Sequence, residues 1–173
     1  NDSGSLDYDS GDDTQLWTSN LHYEPLTVGD TLTDSLYFQF QTEPTEVASI
    51  KLGMASDPNA GATTFGWPDS GDWAYFGIIK RSGPNDNVET EFQSGEGTVA
   101  SQFSVGTFVD EQWYYLEYAM TLQDDATSTF DFTYSVSESA SDGTLGTQLH
   151  SNTQNISYPG LDTDVYAFIG MEN

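Results

Sequence analysis

Cysteine is absent from the 173 residues, so disulfides, thiol catalysis and thiolate metal sites are excluded, and redox compartment cannot be read from cysteine usage. Cations are nearly absent too. Three Lys plus Arg stand against 28 Asp plus Glu, a formal charge of −25. Affinity for nucleic acid and for anionic membranes comes mainly from basic side chains meeting phosphates, so neither is expected as a partner. There are two histidines, His22 and His150, far apart and outside any metal-ligand spacing, so a zinc site lacks nitrogen or sulfur ligands. Long apolar runs are missing as well. None approaches the roughly 20 residues that cross a bilayer, and membrane insertion is not expected. No G-x-S-x-G elbow and no phosphate-cradling glycine loop occurs, which argues against a serine triad and against nucleotide chemistry.

What is present is aromatic. Trp, Tyr and Phe total 24 residues, too many for a disordered acidic segment, and the length suits one domain with its own core. The acidity fits a chain that stays soluble in concentrated salt, where screening removes self-repulsion, or one loaded with calcium. Residues 1–13 read as an acidic linker or metal loop. In it Asp7, Asp9, Asp12 and Asp13 are candidate calcium ligands, although the glutamate expected at the twelfth position is missing. Residues 14–173 read as a single domain.

Alternation of apolar and polar side chains predicts about ten strands and no helix. The stretch from Gln112 to Leu122, QWYYLEYAMTL, predicts a central strand, with Trp113, Tyr115, Glu117, Ala119 and Thr121 on one face and Tyr114, Leu116, Tyr118, Met120 and Leu122 on the other. Its hairpin partner spans 129–137. Other strands are predicted over 14–18, 31–42, 46–56, 73–81, 88–92, 98–105, 144–149 and 164–171. Residues 42–46 are expected to form a hairpin connection, and 151–164 a polar loop. Turn signals at frequent intervals between these runs predict an antiparallel β-sandwich.

Aromatic residues beside acids point to a sugar site, because a sugar ring offers an apolar face of C–H groups and a rim of hydroxyls. Trp67, Asp69, Asp72 and Trp73 fall in one tight loop, and Tyr75 shares a strand face with Trp73, so these five are the candidate ligand-binding residues. A loop tryptophan folded back over the core is the structural alternative. Lys80 and Arg81 are adjacent, either as a contact for an acidic sugar or, preferably, as salt-bridge partners for nearby acids, while Lys51 stands alone. Glu89 and Glu91 put two carboxylates on one side of a strand, an arrangement that is usually just solvated but that a glycan-cleaving enzyme would use as its carboxylate pair.

Gly106-Thr107-Phe108 leading into Gln112-Trp113-Tyr114-Tyr115-Leu116-Glu117, then a hairpin and Asp142-Gly143-Thr144-Leu145-Gly146-Thr147, resembles the second half of laminin-G-like and concanavalin A-like jelly rolls. The closing Ala167-Phe168-Ile169-Gly170 looks like their last core strand. The resemblance implies a secreted jelly-roll module, extracellular or at a cell surface, often part of a larger protein and often with structural calcium. Glycoside hydrolases of this shape carry E-x-D-x-x-E, and alginate-lyase relatives carry an arginine-rich strand and a Q-x-H strand. None of these occurs here. The expectation is therefore a non-catalytic module that binds a polysaccharide or surface glycan, with a structural or adhesive domain and a glycan-cleaving enzyme as alternatives.

Overall fold

The structure is a computed structural model that describes residues 15–23, 26–39, 48–59, 68–80, 88–95, 99–106, 109, 111–161 and 164–172. Among the described residues, ten strands form two antiparallel sheets: β1 Gln15–Tyr23, β2 Thr31–Gln39, β3 Ala48–Ala55, β4 Trp73–Lys80, β5 Val88–Ser94, β6 Val99–Gly106, β7 Trp113–Asp124, β8 Thr129–Ser139, β9 Leu145–Ser157 and β10 Val165–Glu172. The six-stranded sheet runs β1-β10-β3-β4-β5-β6, and the four-stranded sheet runs β2-β7-β8-β9. Among the described residues no helix is long and apolar enough to cross a membrane.

Strand β7 is central to its sheet, flanked by β2 and β8. Its burial alternates without a break from Trp113 to Leu122, the even-numbered residues facing inward, as the residue pattern predicts. Phe130, Phe132, Tyr134 and Val136 of β8 face the same way. From the other sheet, Ile50, Leu52 and Met54 of β3, Ala74, Phe76 and Ile78 of β4, and Phe92 of β5 complete the core. Rings stack across the gap: Phe76 lies 4.2 Å from Tyr134 and Phe92 lies 5.5 Å from it, both near parallel. The Tyr118 hydroxyl crosses the core to donate to the Ala74 carbonyl at 3.2 Å. Burial pushes that phenol well above its ordinary range, with Tyr158 adding to the effect.

Two expectations are corrected. Residues 151–157 are not loop: β9 runs thirteen residues to Ser157. The apolar signal is weak there because β9 is an edge strand whose half-buried positions include His150, Asn152 and Gln154, and because a register shift opposite Val136 and Ser137 breaks the alternation at Leu149. Residues 42–46 do not close a hairpin either, since β2 pairs with β7 and β3 pairs with β4 and β10. Residues 42–46 themselves lie outside the described residues; β2 and β3 belong to different sheets, a choice that alternation within each strand does not encode.

Candidate functional site

Because β3, β4 and β5 turn alternate residues into the core, their other residues line the outer face of the six-stranded sheet. Lys51, Gly77 and Glu91 lie in one row across three strands, and Gly53, Tyr75 and Gln93 lie in the next. The two glycines leave bays in the sheet surface. A Cβ at Gly77 would sit 2.9 Å from Lys51 Cγ and 3.5 Å from the Tyr75 ring, so Gly77 makes the room that both side chains use. On the other side a Cβ at Gly53 would meet the Ala74 carbonyl oxygen at 2.3 Å and the Phe168 ring at 2.7 Å.

Polar groups fill this space. The Tyr75 hydroxyl donates to Glu91 Oε1 and lies 2.9 Å from Gln93 Oε1. Lys51 Nζ donates to Ser49 Oγ and stands 5.8 Å from the centroid of the Tyr75 ring, which can stabilise the cation through its π face. All are withdrawn from solvent: Tyr75 is 0%, Lys51 1% and Glu91 7% exposed, while Gln93 is half-buried. Lys and Glu are almost never buried to this degree unless paired, because desolvation of a charge is expensive. A charged cluster on a sheet face turned away from the core is therefore held by specific contacts, and its phenol, carboxylate and ammonium form a set able to move a proton and to balance developing charge.

The residues proposed from the sequence divide in their placement. Trp73 and Tyr75 stack at 5.6 Å and are buried with Ala55 and Phe168 in a second apolar cluster. The backbone N–H of Trp73 donates to the Tyr158 hydroxyl at 3.1 Å. Asp69 is exposed and Asp72 half-buried, on a turn tied to the end of β3. There Ser70 Oγ donates to Asp57 Oδ2 at 2.8 Å, and the Asp72 N–H donates to Ser56 Oγ at 2.9 Å. The hydrogen bonds from the Asn59 N–H and from Ser70 hold the Asp57 carboxyl below its ordinary range. Trp67 and Arg81, together with Asp7, Asp9, Asp12 and Asp13, lie outside the described residues. Among the described residues no group of three or more His, Asp or Glu is placed to hold a metal ion.

From the sequence Tyr75 is a candidate, Lys51 stands alone, Glu91 is an acid most simply solvated but also half of the carboxylate pair of the glycan-cleaving alternative, and Gln93 carries no assignment. A signal was present. Gly53 and Gly77 interrupt otherwise apolar strands, and a glycine inside a strand marks a close approach; Lys51 sits between Ile50 and Leu52 on a strand whose neighbours are apolar on both sides.

No family model matches the chain, and no curated protein matches it. Among solved structures, it is similar to Scytalido-glutamic peptidase bound to a peptide-based transition state analog, with a TM-score of 0.48 and 9% identity over 92% of this chain and 64% of that one. It is also similar to the marine PL-14 alginate lyase from Aplysia kurodai, with a TM-score of 0.38 and 8% identity over 82% of this chain and 68% of that one. The chain thus spans less than two thirds of the peptidase chain. The chain's own two-sheet topology shows the β-sandwich, and nothing in it singles out the laminin-G-like or concanavalin A-like families. The expectation of a non-catalytic module, with no enzymatic activity, that binds a sugar on an open aromatic platform is corrected on the geometry: Trp73 and Tyr75 are buried, and the Tyr75 hydroxyl is engaged with the buried Glu91 carboxylate.

Proposed function

We propose that the chain is a glycan-cleaving enzyme whose acid–base centre is the pair Tyr75 and Glu91, with Lys51 as its electrostatic partner. The observation that carries this reading is the buried contact between the Tyr75 hydroxyl and the Glu91 carboxylate on the outer face of the six-stranded sheet, beside a lysine ammonium. Cleaving a glycosidic bond requires a proton delivered to the leaving oxygen and a base that takes one up, from water in hydrolysis or from a ring carbon in elimination. A phenol that donates to a carboxylate supplies both roles. Negative charge that develops near the Lys51 ammonium is stabilised more strongly here than in water because the site is desolvated.

Glu91 and Gln93 form the edge of the cluster nearest solvent, so the scissile bond is expected to meet Glu91 first. A polymeric substrate also implies work outside the cell, since a polysaccharide does not cross a bilayer. The test is oligosaccharide release from a panel of neutral and uronic polysaccharides in molar salt, read as new reducing ends and as the ultraviolet absorbance of unsaturated ends. Release by the wild type that falls by about 100-fold or more in Glu91→Gln supports the reading, in line with the usual worth of a general acid or base. Undiminished release in that variant contradicts it, and the ultraviolet signal separates elimination from hydrolysis.

A further inference from the structure

The opposite surface of the sandwich, the outer face of the four-stranded sheet, is built differently. Alternation along β7 puts Trp113, Tyr115 and Glu117 there, and pairing sets Trp113 between Gln39 and Ser139, and Tyr115 between Tyr37 and Ser137. Tyr37 is 47% exposed, and its ring packs 4.8 Å from Tyr115 at a tilt of 45°. The turn after β8 rises beside this stripe, fixed by hydrogen bonds of 2.9 Å from Ala140 N to the Thr144 carbonyl and 3.0 Å from Gly143 N to the Ala140 carbonyl. The Tyr37 hydroxyl ties the turn to the sheet by donating to the Gly143 carbonyl at 3.3 Å.

Between the turn and the strand ends lies a cleft of about 660 Å³, with Gln39, Glu111, Gln112, Trp113 and Ser139 among its walls. It continues into a recess of about 220 Å³ beside Tyr37 and Gly143, with Trp113 bordering both. Gln112 spends its amide hydrogens on the carbonyls of Trp113 and Ser139, at 2.8 and 2.6 Å, and Gln39 donates to the Glu111 carbonyl. The side-chain carbonyl oxygens of Gln39 and Gln112, together with the Glu111 carboxylate, can accept hydrogen bonds from hydroxyl donors, and Gln39 keeps one amide hydrogen to donate. Glu111 has a φ of 61°, a left-handed conformation that a non-glycine residue adopts at a cost and that recurs where a ligand is held.

We infer that this cleft is a second ligand site, separate from the Tyr75 and Glu91 cluster, and that it takes a neutral saccharide laid against Trp113 and Tyr37. An aromatic wall flanked by acceptors fits a sugar ring, whose C–H face packs on the ring and whose hydroxyls donate around it. The charge balance selects the neutral class. Of the chain's three cations, Lys51 in β3 and Lys80 in β4 belong to the other sheet and Arg81 lies outside the described residues; among the described residues the cleft walls hold the Glu111 carboxylate and no cation, so an anionic sugar meets repulsion here. A second copy of the chain is disfavoured by the same −25.

The test is calorimetric titration of the full chain, in salt, with cello-oligosaccharide and xylo-oligosaccharide, using an oligo-uronate as the anionic control and light scattering for association state. Expected are saturable binding of a neutral oligomer, a loss of about tenfold in affinity in Trp113→Ala, a smaller loss in Tyr37→Ala, and unchanged binding in Glu91→Gln. Tyr37→Ala and Trp113→Phe guard against misfolding, because an exposed tyrosine and a ring-for-ring exchange leave the sheet intact. Binding equal to wild type in Trp113→Ala, binding lost in Glu91→Gln, no binding of either neutral oligomer, or a dimer that dissociates on Trp113→Ala would each overturn the inference. Glu91→Gln also keeps the two sites distinguishable, since it removes glycan cleavage and leaves this binding in place.

Discussion

The two outer faces of the sandwich come from the same alternation of residues and yet have opposite characters. On the six-stranded sheet, Gly77 leaves the room into which Lys51 and Tyr75 pack, and with Glu91 they are buried, where each group needs a partner. On the four-stranded sheet, the outward positions of β2 and β7 hold larger side chains, so Tyr37 stands out and the aromatic stripe remains accessible. Chemistry that requires desolvated charge belongs to the first face, and adhesion of an uncharged ring belongs to the second. What separates them is the volume of the residue beside each polar group more than the count of polar groups.

The same type of substitution should therefore have unequal effects on the two faces. Gly53→Ala forces a methyl group against the Ala74 carbonyl and the Phe168 ring, and a loss of about 3 kcal/mol is expected in chemical denaturation. Gly146→Ala in β9, whose nearest contact would be Glu138 Cβ at 3.4 Å, should stay within about 0.5 kcal/mol of wild type. Next in size is the hydroxyl. Tyr75→Phe leaves the buried Glu91 without its phenolic donor and should cost about 2 kcal/mol, whereas Tyr115→Phe, which removes a 2.9 Å bond to the half-buried Glu117, should cost no more than about 0.5 kcal/mol. Equal losses at Tyr75 and Tyr115 would erase the contrast between the faces.

Smaller effects concern titration. Asp34 stands in phase with Leu32 and Leu36 on the inward side of β2, and burial raises its carboxyl above 3.8 although the Ser35 N–H opposes this at 2.9 Å. With the folded pKa above the unfolded one, the folded state binds the proton first, so the burden of the ionised group is greatest at neutral pH and disappears as pH falls through the raised value. Asp34→Asn should then raise Tm at neutral pH, with the gain shrinking in acid. His150 behaves in the other sense. Burial lowers its pKa below 6.5, so the unfolded chain binds the proton first and stability falls as pH drops below 6.5 toward the lowered value. His150→Gln should flatten that slope in a Tm-versus-pH series, by the smallest margin of these changes.

Much of this was legible in the residues, and the reasons for the remainder are physical. The alternation of β7 and β8 is clean because one face of each is core, and both strands emerge with the phase expected. The second half of β9 escaped because its half-buried positions carry His150, Asn152 and Gln154, and the separation of β2 and β3 into different sheets escaped because alternation is silent about which sheet a strand joins. At the candidate site, Trp73 and Tyr75 were singled out for their rings, but whether a ring faces solvent depends on neighbouring strands. Pairing brings Lys51 and Glu91 to either side of Gly77 from positions 40 residues apart, a closeness that sequence spacing cannot express.

The most direct test of the account compares oligosaccharide release by Glu91→Gln and by Trp113→Ala, on a soluble substrate cleaved by the wild type and with both variants folded. The account predicts a loss of about 100-fold or more in the first and a rate within about twofold of wild type in the second. Release unchanged in Glu91→Gln, or lost in Trp113→Ala alone, would place the chemistry on the other face and contradict it.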